Sequence, residues 1–331
     1  MLALLRKYKK LIIILSFPYL YVLFLLVMPT QKQVLAPGDL TPMNETVQIE
    51  GIDMVTQFHT IYIYNYFPMT PFQGLIASID KTLEVDELSV REKDTSWRDD
   101  FLAGQVAKLS SLQISVIKAY ELAALQDDDI VIDYHFEGLI LSYRPSRLSE
   151  LHIGGEILAI NGENFSDHNE ASFLLLSIAR EATLDIRRRE GDTISYHTVT
   201  YNLLDEEQTL RYYPNYVIDE ASPSFDLPGL ETVVGGPSGG MIQTLSIYSS
   251  LLKLNIGDLK IAGTGTIQID GTIGRIGGMR QKIYTAKQRK VDLFFMPKAH
   301  ESEIVGIDYP FDLIVVTTIE EAVQALYEAI N

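Results

Sequence analysis

Apolar and polar positions divide the chain into three unlike parts. Residues 11–28 (LIIILSFPYLYVLFLLVM) are an unbroken apolar run of 18, preceded by Arg6, Lys7, Lys9 and Lys10. At ~1.5 Å per residue a helix of that length spans ~27 Å, close to a bilayer core. A signal peptide is the alternative, but its apolar region is normally shorter. The Ala-ending candidate site Val34-Leu35-Ala36 also runs into Pro37, a poor place to cleave. The run is read as an uncleaved anchor, kinked at Pro18. Its basic flank holds residues 1–10 in the cytoplasm and leaves everything after about Pro29 outside.

Residues 30–129 are the least legible. IYIYNY (61–66) reads as a strand. A helix is predicted over 99–126, with Leu102, Val106, Leu109, Leu112, Val116 and Tyr120 at steps of three and four. From 130 to 204 the pattern changes to short strands punctuated by glycine. Gly138 enters an apolar strand with Leu139, Ile140 and Leu141. Residues 151–165 read as strand, Asn161-Gly162 turn, strand. A helix over 170–180 precedes an antiparallel pair, 182–189 with 195–204. The acidic DEEQ at 205–208 reads as a linker. Beyond it, strands at 292–296 and 312–316 alternate with helices at 241–254, 279–290 and 319–330, as in an α/β or α+β domain.

Composition narrows the function. The 331 residues carry 44 acidic against 27 basic side chains, a net charge of −17, which argues against nucleic-acid binding because phosphate needs a basic face. With no cysteine, thiol chemistry, disulfides and cysteine metal sites are excluded together. The six histidines are scattered and show no metal-ligand spacing, so no metal and no cofactor is expected. The Walker phosphate-loop pattern is absent from the chain, so no ATP is expected to be used.

One stretch asks for chemistry. Gly235-Gly236-Pro237-Ser238-Gly239-Gly240 stands where an extended segment turns into the helix near Met241. Glycines let the backbone approach a substrate closely, and a helix N-terminus offers unpaired N–H groups to a developing oxyanion. Ser238 can therefore be a nucleophile, although phosphate loops and simple caps look alike. A nucleophilic serine needs a base. Of the histidines only His300 falls in this last domain, in a polar stretch. Lys282, which follows the Gly277-Gly278 turn at the start of a helix, serves if burial keeps it neutral; the ordinary alternative is a solvated helix lysine.

Two resemblances bear on these alternatives. Gly154-Gly155-Glu156-Ile157-Leu158-Ala159-Ile160-Asn161-Gly162 resembles the Gly-Asp-x-Ile-x-x-Ile/Val-Asn/Asp-Gly motif of bacterial PDZ domains, with Gly155 where aspartate is usual. This implies that Gly138, Leu139, Ile140 and Leu141 form the loop and edge strand that bind a peptide by strand addition. The Ser238 and Lys282 contexts, with 262–267 and 271–278 between them, resemble the Lon proteolytic domain over roughly 225–330. That likeness implies Ser238 as nucleophile, Lys282 as general base and Thr264 as hydroxyl partner of the amine. Backbone N–H groups of Gly236 and Ser238 then form the oxyanion hole. The chain departs from ATP-dependent relatives in having Gly235 three before the serine, where an acidic residue is common, and Thr266 where they have glutamate.

The expected architecture is a multidomain α+β and α/β protein. It comprises a cytoplasmic N-terminus (1–10), a transmembrane helix (11–28), an extracytoplasmic region of unassigned role (30–129), a PDZ-like β-rich domain (130–204) and a Lon-type α/β proteolytic domain (205–331). That order resembles the membrane-anchored PDZ–Lon serine proteases of Gram-positive bacteria. It implies an ATP-independent serine endopeptidase, single-pass in the cell membrane with its body extracellular, cutting exported or unfolded peptides that the PDZ presents. Its partners are then peptide substrates and the lipid bilayer. The rival readings are a non-catalytic PDZ scaffold with a degenerate Lon-like domain, and an accessory module of envelope assembly.

Overall fold

The computed structural model describes residues 7–177, 181–191, 193–202, 210–231 and 235–330. Arg6 and the linker at 205–208 lie outside the described residues, as do the last three positions of the helix expected over 170–180. The apolar run is helix α1 (Lys9–Val27), with no residue buried against the body. It has the length and apolarity of a membrane span or of a signal sequence.

After α1 the chain forms β1 (Lys32–Pro42), β2 (Gln48–Ile49) and β3 (Phe58–Tyr66), then α2 (Pro71–Ile79), β4 (Glu84–Glu87), α3 (Val90–Asp94) and the long α4 (Trp97–Ala124). A β-rich stretch follows: β5 (Val131–Tyr143), β6 (Glu156–Ile160), β7 (Glu163–Asn164), α5 (His168–Ser177), β8 (Glu181–Glu190), β9 (Thr193–Asn202) and β10 (Arg211–Ser222). The last part runs through β11 (Phe225–Asp226), α6 (Gly240–Leu251), β12 (Ile261–Gly263), β13 (Thr266–Ile267), β14 (Ile273–Gly274), α7 (Met279–Gln288), β15 (Leu293–Pro297), β16 (Asp312–Val316) and α8 (Ile319–Ile330).

Residues 30–129 are not a separate region of the fold. The mixed sheet has the order β16-β15-β12-β3-β1-β4, and β3 pairs parallel with β12, setting Phe58 opposite Ile261 and Thr60 opposite Gly263. Strands from either side of the β-rich stretch therefore complete one sheet, and the domain boundary expected at 205 does not hold for it. The β-rich stretch is an insertion. It enters at Val131 and leaves at Ser222, which are partners in the β5–β10 ladder, so the chain departs from and returns to one place.

The insertion has its own antiparallel sheet, β10-β5-β6-β8-β9, over a core that includes Leu139, Leu141, Ile157 and Leu184. Asn161 and Gly162 form the expected turn, both at positive φ (54° and 75°), but residues 151–155 lead into it without forming a strand. The peptide-binding edge expected at 138–141 is corrected by the pairing. On one side of β5, Gly138 pairs with Asn215 and Ile140 with Tyr213 of β10; on the other, Leu139 pairs with Ile157 and Ile140 with Glu156 of β6. A strand paired on both sides has no edge to offer, and the place of an added peptide is taken by the chain's own β10.

Helix α4 ties the two sheets together, packing on α6, β5 and β10. Its middle is buried on almost every side, with Leu112, Val116, Ile117 and Tyr120 among the buried side chains. Gly104, Lys108, Ser111 and Ser115 form a stripe at helical spacing, and this stripe meets the loop before α6.

Candidate active site

The loop 235–239 is gripped from two sides. From the α4 side, the Gly236 N–H donates to the carbonyl of Gly104 at 2.8 Å, Ser111 Oγ donates to the carbonyl of Pro237 at 3.2 Å, and Ser115 Oγ shares its hydrogen between the carbonyls of Ser111 at 2.7 Å and Gly240 at 3.0 Å. The backbones of Gly104 and Gly235 touch so closely that a Cβ on Gly235 would lie 2.8 Å from the Gly104 carbonyl carbon. An acidic side chain at position 235 has no room here. From the β12 side, the Ser238 carbonyl accepts the Gly265 N–H at 2.8 Å and the Thr264 hydroxyl at 3.0 Å.

Lys282 reaches this loop from the first turn of α7. Its Nζ lies 2.9 Å from Ser238 Oγ and donates to Thr264 Oγ1 at 2.8 Å. Thr264 is fully buried and Lys282 is 3% exposed. Losing water penalises the charged amine, and burial pushes Lys282 down from the usual lysine value to about 7. The adjacent helix N-terminus disfavours positive charge as well. A lysine of this kind is neutral often enough near pH 7 to take a proton. The turn that delivers it depends on Gly278, whose φ is +64° and where an added Cβ would collide with Ile63 Cδ1.

The three side chains expected to act together, Ser238, Lys282 and Thr264, are thus within hydrogen-bond reach of one another. The expected oxyanion pair is only half available: the single hydrogen of the Gly236 N–H is committed to the Gly104 carbonyl, and Pro237 has none to give. Gly138, Leu139, Ile140 and Leu141 lie in the centre of the second sheet and do not join the site. Among the described residues, no group of three or more potential metal ligands is assembled.

His300 was read as part of a polar stretch, but its side chain is 1% exposed and its Nε2 accepts the Ile276 N–H at 2.8 Å. It pins the segment that turns into α7. Sequence reasoning missed the α4 stripe and Thr60. A cavity of about 70 Å³ beside Ser238 is lined by Lys108, Thr60, Tyr62 and Gln243, among others. The signal for Lys108 was present, since a charged residue inside the apolar face of a long helix demands a reason. Burial lowers its pKa too. On the far side of Pro237 a larger cavity, about 380 Å³, is walled by His168, Tyr212 and Tyr216 of the insertion and by Ile267 and Ile269.

Comparison with known proteins accords with this geometry. Residues 196–329 match the Lon protease (S16) C-terminal proteolytic domain. Lon protease 2 of Bacillus subtilis strain 168 is 30% identical over 93 residues, covering 28% of this chain and 17% of the relative. The Lon protease of Mycoplasma pneumoniae is 25% identical over 192 residues, covering 57% of this chain and 22% of the relative. That of Amoebophilus asiaticus is 23% identical over 289 residues, covering 82% and 32% respectively. The chain thus spans a third or less of the length of each of these relatives. Residues 196–329 are thus similar to the proteolytic domain of the Lon (S16) proteases.

Proposed function

We propose that the protein is a serine endopeptidase in which Ser238 is the nucleophile and Lys282 the general base. The observation that carries this reading is the buried amine of Lys282, 2.9 Å from Ser238 Oγ and 2.8 Å from Thr264 Oγ1. Thr264 spends its own hydrogen on the Ser238 carbonyl, so it can only accept from the lysine. That turns one amine N–H towards Thr264 and leaves the lone pair of the neutral amine for the Ser238 hydroxyl.

As Oγ attacks the scissile carbonyl carbon, the hydroxyl proton passes to Nζ. The oxyanion is met by the Ser238 N–H, the donor retained from the expected pair. The lysine ammonium then protonates the leaving amine and the acyl-enzyme forms. Water, deprotonated by the same amine, releases the acyl group and restores Ser238.

The substrate reading is an extended peptide or unfolded segment, because a site bounded by α4 and an inserted domain suits an extended chain. The apolar, aromatic walls of the larger cavity beside Pro237 favour an apolar side chain there. The insertion, PDZ-like by its Gly154–Gly162 motif, serves as the outer wall of this cleft. Helix α1 is read as a membrane anchor with the body outside, from its basic flank. No nucleotide is needed for the chemistry described, and the chain contains no Walker motif.

The test is cleavage of short and unfolded peptides by the full chain in detergent, without ATP, read by mass spectrometry beside Ser238→Ala and Lys282→Ala. Cleavage by the parent alone is expected. Equal cleavage by all three would refute the assignment, and absence of cleavage in the parent would favour the scaffold reading.

A further inference from the structure

Helix α2 is built to be a helix yet buries nothing. Pro71 stands at its first turn, and Thr70 forms a capping box with Gln73. None of its nine residues is buried in the protein. Its apolar residues are nevertheless ordered: Phe72, Leu75, Ile76 and Ile79 fall at i, i+3, i+4 and i+7, one stripe of a helix. All four are exposed, Leu75 at 55% and Ile79 at 78%. In a chain of net charge −17, these nine residues carry no charge at all. A helix this short gains its stability from burying an apolar face, and the body, which it touches at β1 and β4, leaves this stripe uncovered.

The position of α2 identifies the cover. It packs beside α1. Thr30, three residues after the end of α1, donates from both its N–H and its hydroxyl to the Met69 carbonyl, at 2.8 and 2.7 Å, and the Met69 N–H donates to the Lys32 carbonyl at 2.7 Å. The start of α2 is therefore clamped to the point where α1 leaves the bilayer. Tyr66 and Phe67, just before the clamp, are also exposed, as aromatic side chains are at a lipid–water boundary. We infer that α2 lies in that boundary with the Phe72–Leu75–Ile76–Ile79 stripe in lipid, a second membrane contact beside the anchor. This rests on the reading of α1 as a membrane span.

The consequence for the enzyme is a fixed working height. β3 runs from Thr60, which lines the cavity at Ser238, to Tyr66 at the boundary. Six strand steps cover ~20 Å, so Ser238 stands no further than about that from the lipid surface. The substrates that fit are extended segments lying on the membrane or emerging from it.

Tryptophan probes test this in the full chain reconstituted in phosphatidylcholine vesicles, with and without lipids brominated near the headgroup end of the acyl chain for the α2 probes and near the chain terminus for the α1 probe. Trp97 is the only tryptophan and is exposed, so Trp97→Phe gives a silent background. Single probes are then Leu75→Trp and Ile79→Trp in α2, Leu20→Trp in α1, and Val305→Trp beside β15 and β16, at the opposite end of the sheet from β4. The α2 probes should emit blue-shifted light and lose at least half their intensity to brominated lipid, while Val305→Trp stays unquenched. Unquenched α2 probes with a quenched Leu20→Trp would overturn the inference and leave the anchor standing. If the α2 probes and Leu20→Trp are all unquenched, both fail. Quenched α2 probes support the lipid contact whatever the α1 probe shows.

Discussion

Thr264 Oγ1 accepts from Lys282 Nζ at 2.8 Å while its own hydrogen is held by the Ser238 carbonyl at 3.0 Å. One buried hydroxyl thus orients the Lys282 amine and fixes the loop that carries Ser238. Replacing it by an isostere without the hydroxyl, Thr264→Val, should lower kcat/KM by ~10- to 100-fold, the worth of one or two buried hydrogen bonds. Thr264→Ser should stay within a few-fold of the parent. Equal rates for Thr264→Val and the parent would remove Thr264 from the mechanism.

Lys282 carries a cost in stability whose sign follows from its pKa. The folded value is about 7 against 10.5 for an unperturbed lysine, so the unfolded chain binds the extra proton between those limits. The penalty is complete below about pH 7 and fades as pH rises towards 10.5. Lys282→Met should therefore raise the melting temperature, by an amount worth roughly 1–4 kcal/mol at pH 6 once lost hydrogen bonds are discounted, and by less at pH 9. Thermal unfolding at the two pH values checks this. A destabilised Lys282→Met protein at pH 6 would contradict a lysine whose pKa is lowered by burial.

Gly235 has no space for a side chain because the Gly104 backbone lies against it. Gly235→Asp should push the loop off α4, break the Gly236–Gly104 hydrogen bond and cost ~1–3 kcal/mol of stability. Activity should fall at the same time. Denaturant unfolding and peptide cleavage on the one variant test both effects, and a variant as stable as the parent would show that the loop is not held by α4.

At Gly278 two costs are separable. Gly278→Ala meets a φ of +64° and the Ile63 side chain, and should lose ~1–3 kcal/mol. Adding Ile63→Ala removes the collision but not the strained backbone. The double variant should recover activity, through a correctly placed Lys282, more fully than it recovers stability. Parallel recovery of the two would mean that the turn does not govern the position of the lysine.

What the sequence disclosed follows from how local each signal is. The helices carrying Lys282 and following Ser238 are local patterns bounded by glycines. They stand at Met279–Gln288 and Gly240–Leu251, beside expectations of 279–290 and 241–254. The antiparallel β8–β9 pair was legible for the same reason. The pairing of β3 with β12 was not, since Phe58 and Ile261 are joined across an inserted domain and no periodicity reports a partner two hundred residues away. The peptide-binding edge at Gly138 to Leu141 failed similarly: nothing in those four residues says that β10 returns to cover them. Lys108 was legible in principle but was lost among the apolar neighbours used to predict α4.

The central claim is that a neutral Lys282 activates Ser238. Its most direct test is the rate at which the full chain is acylated by a serine-directed fluorophosphonate as pH is raised from 5 to 9, with the adduct located by peptide mass spectrometry. The account predicts one adduct, on Ser238, forming at a rate that climbs through an apparent pKa near 7 and then levels, and a rate near background in Lys282→Ala. Labelling elsewhere, or labelling of Ser238 that is as fast in Lys282→Ala as in the parent, would contradict it.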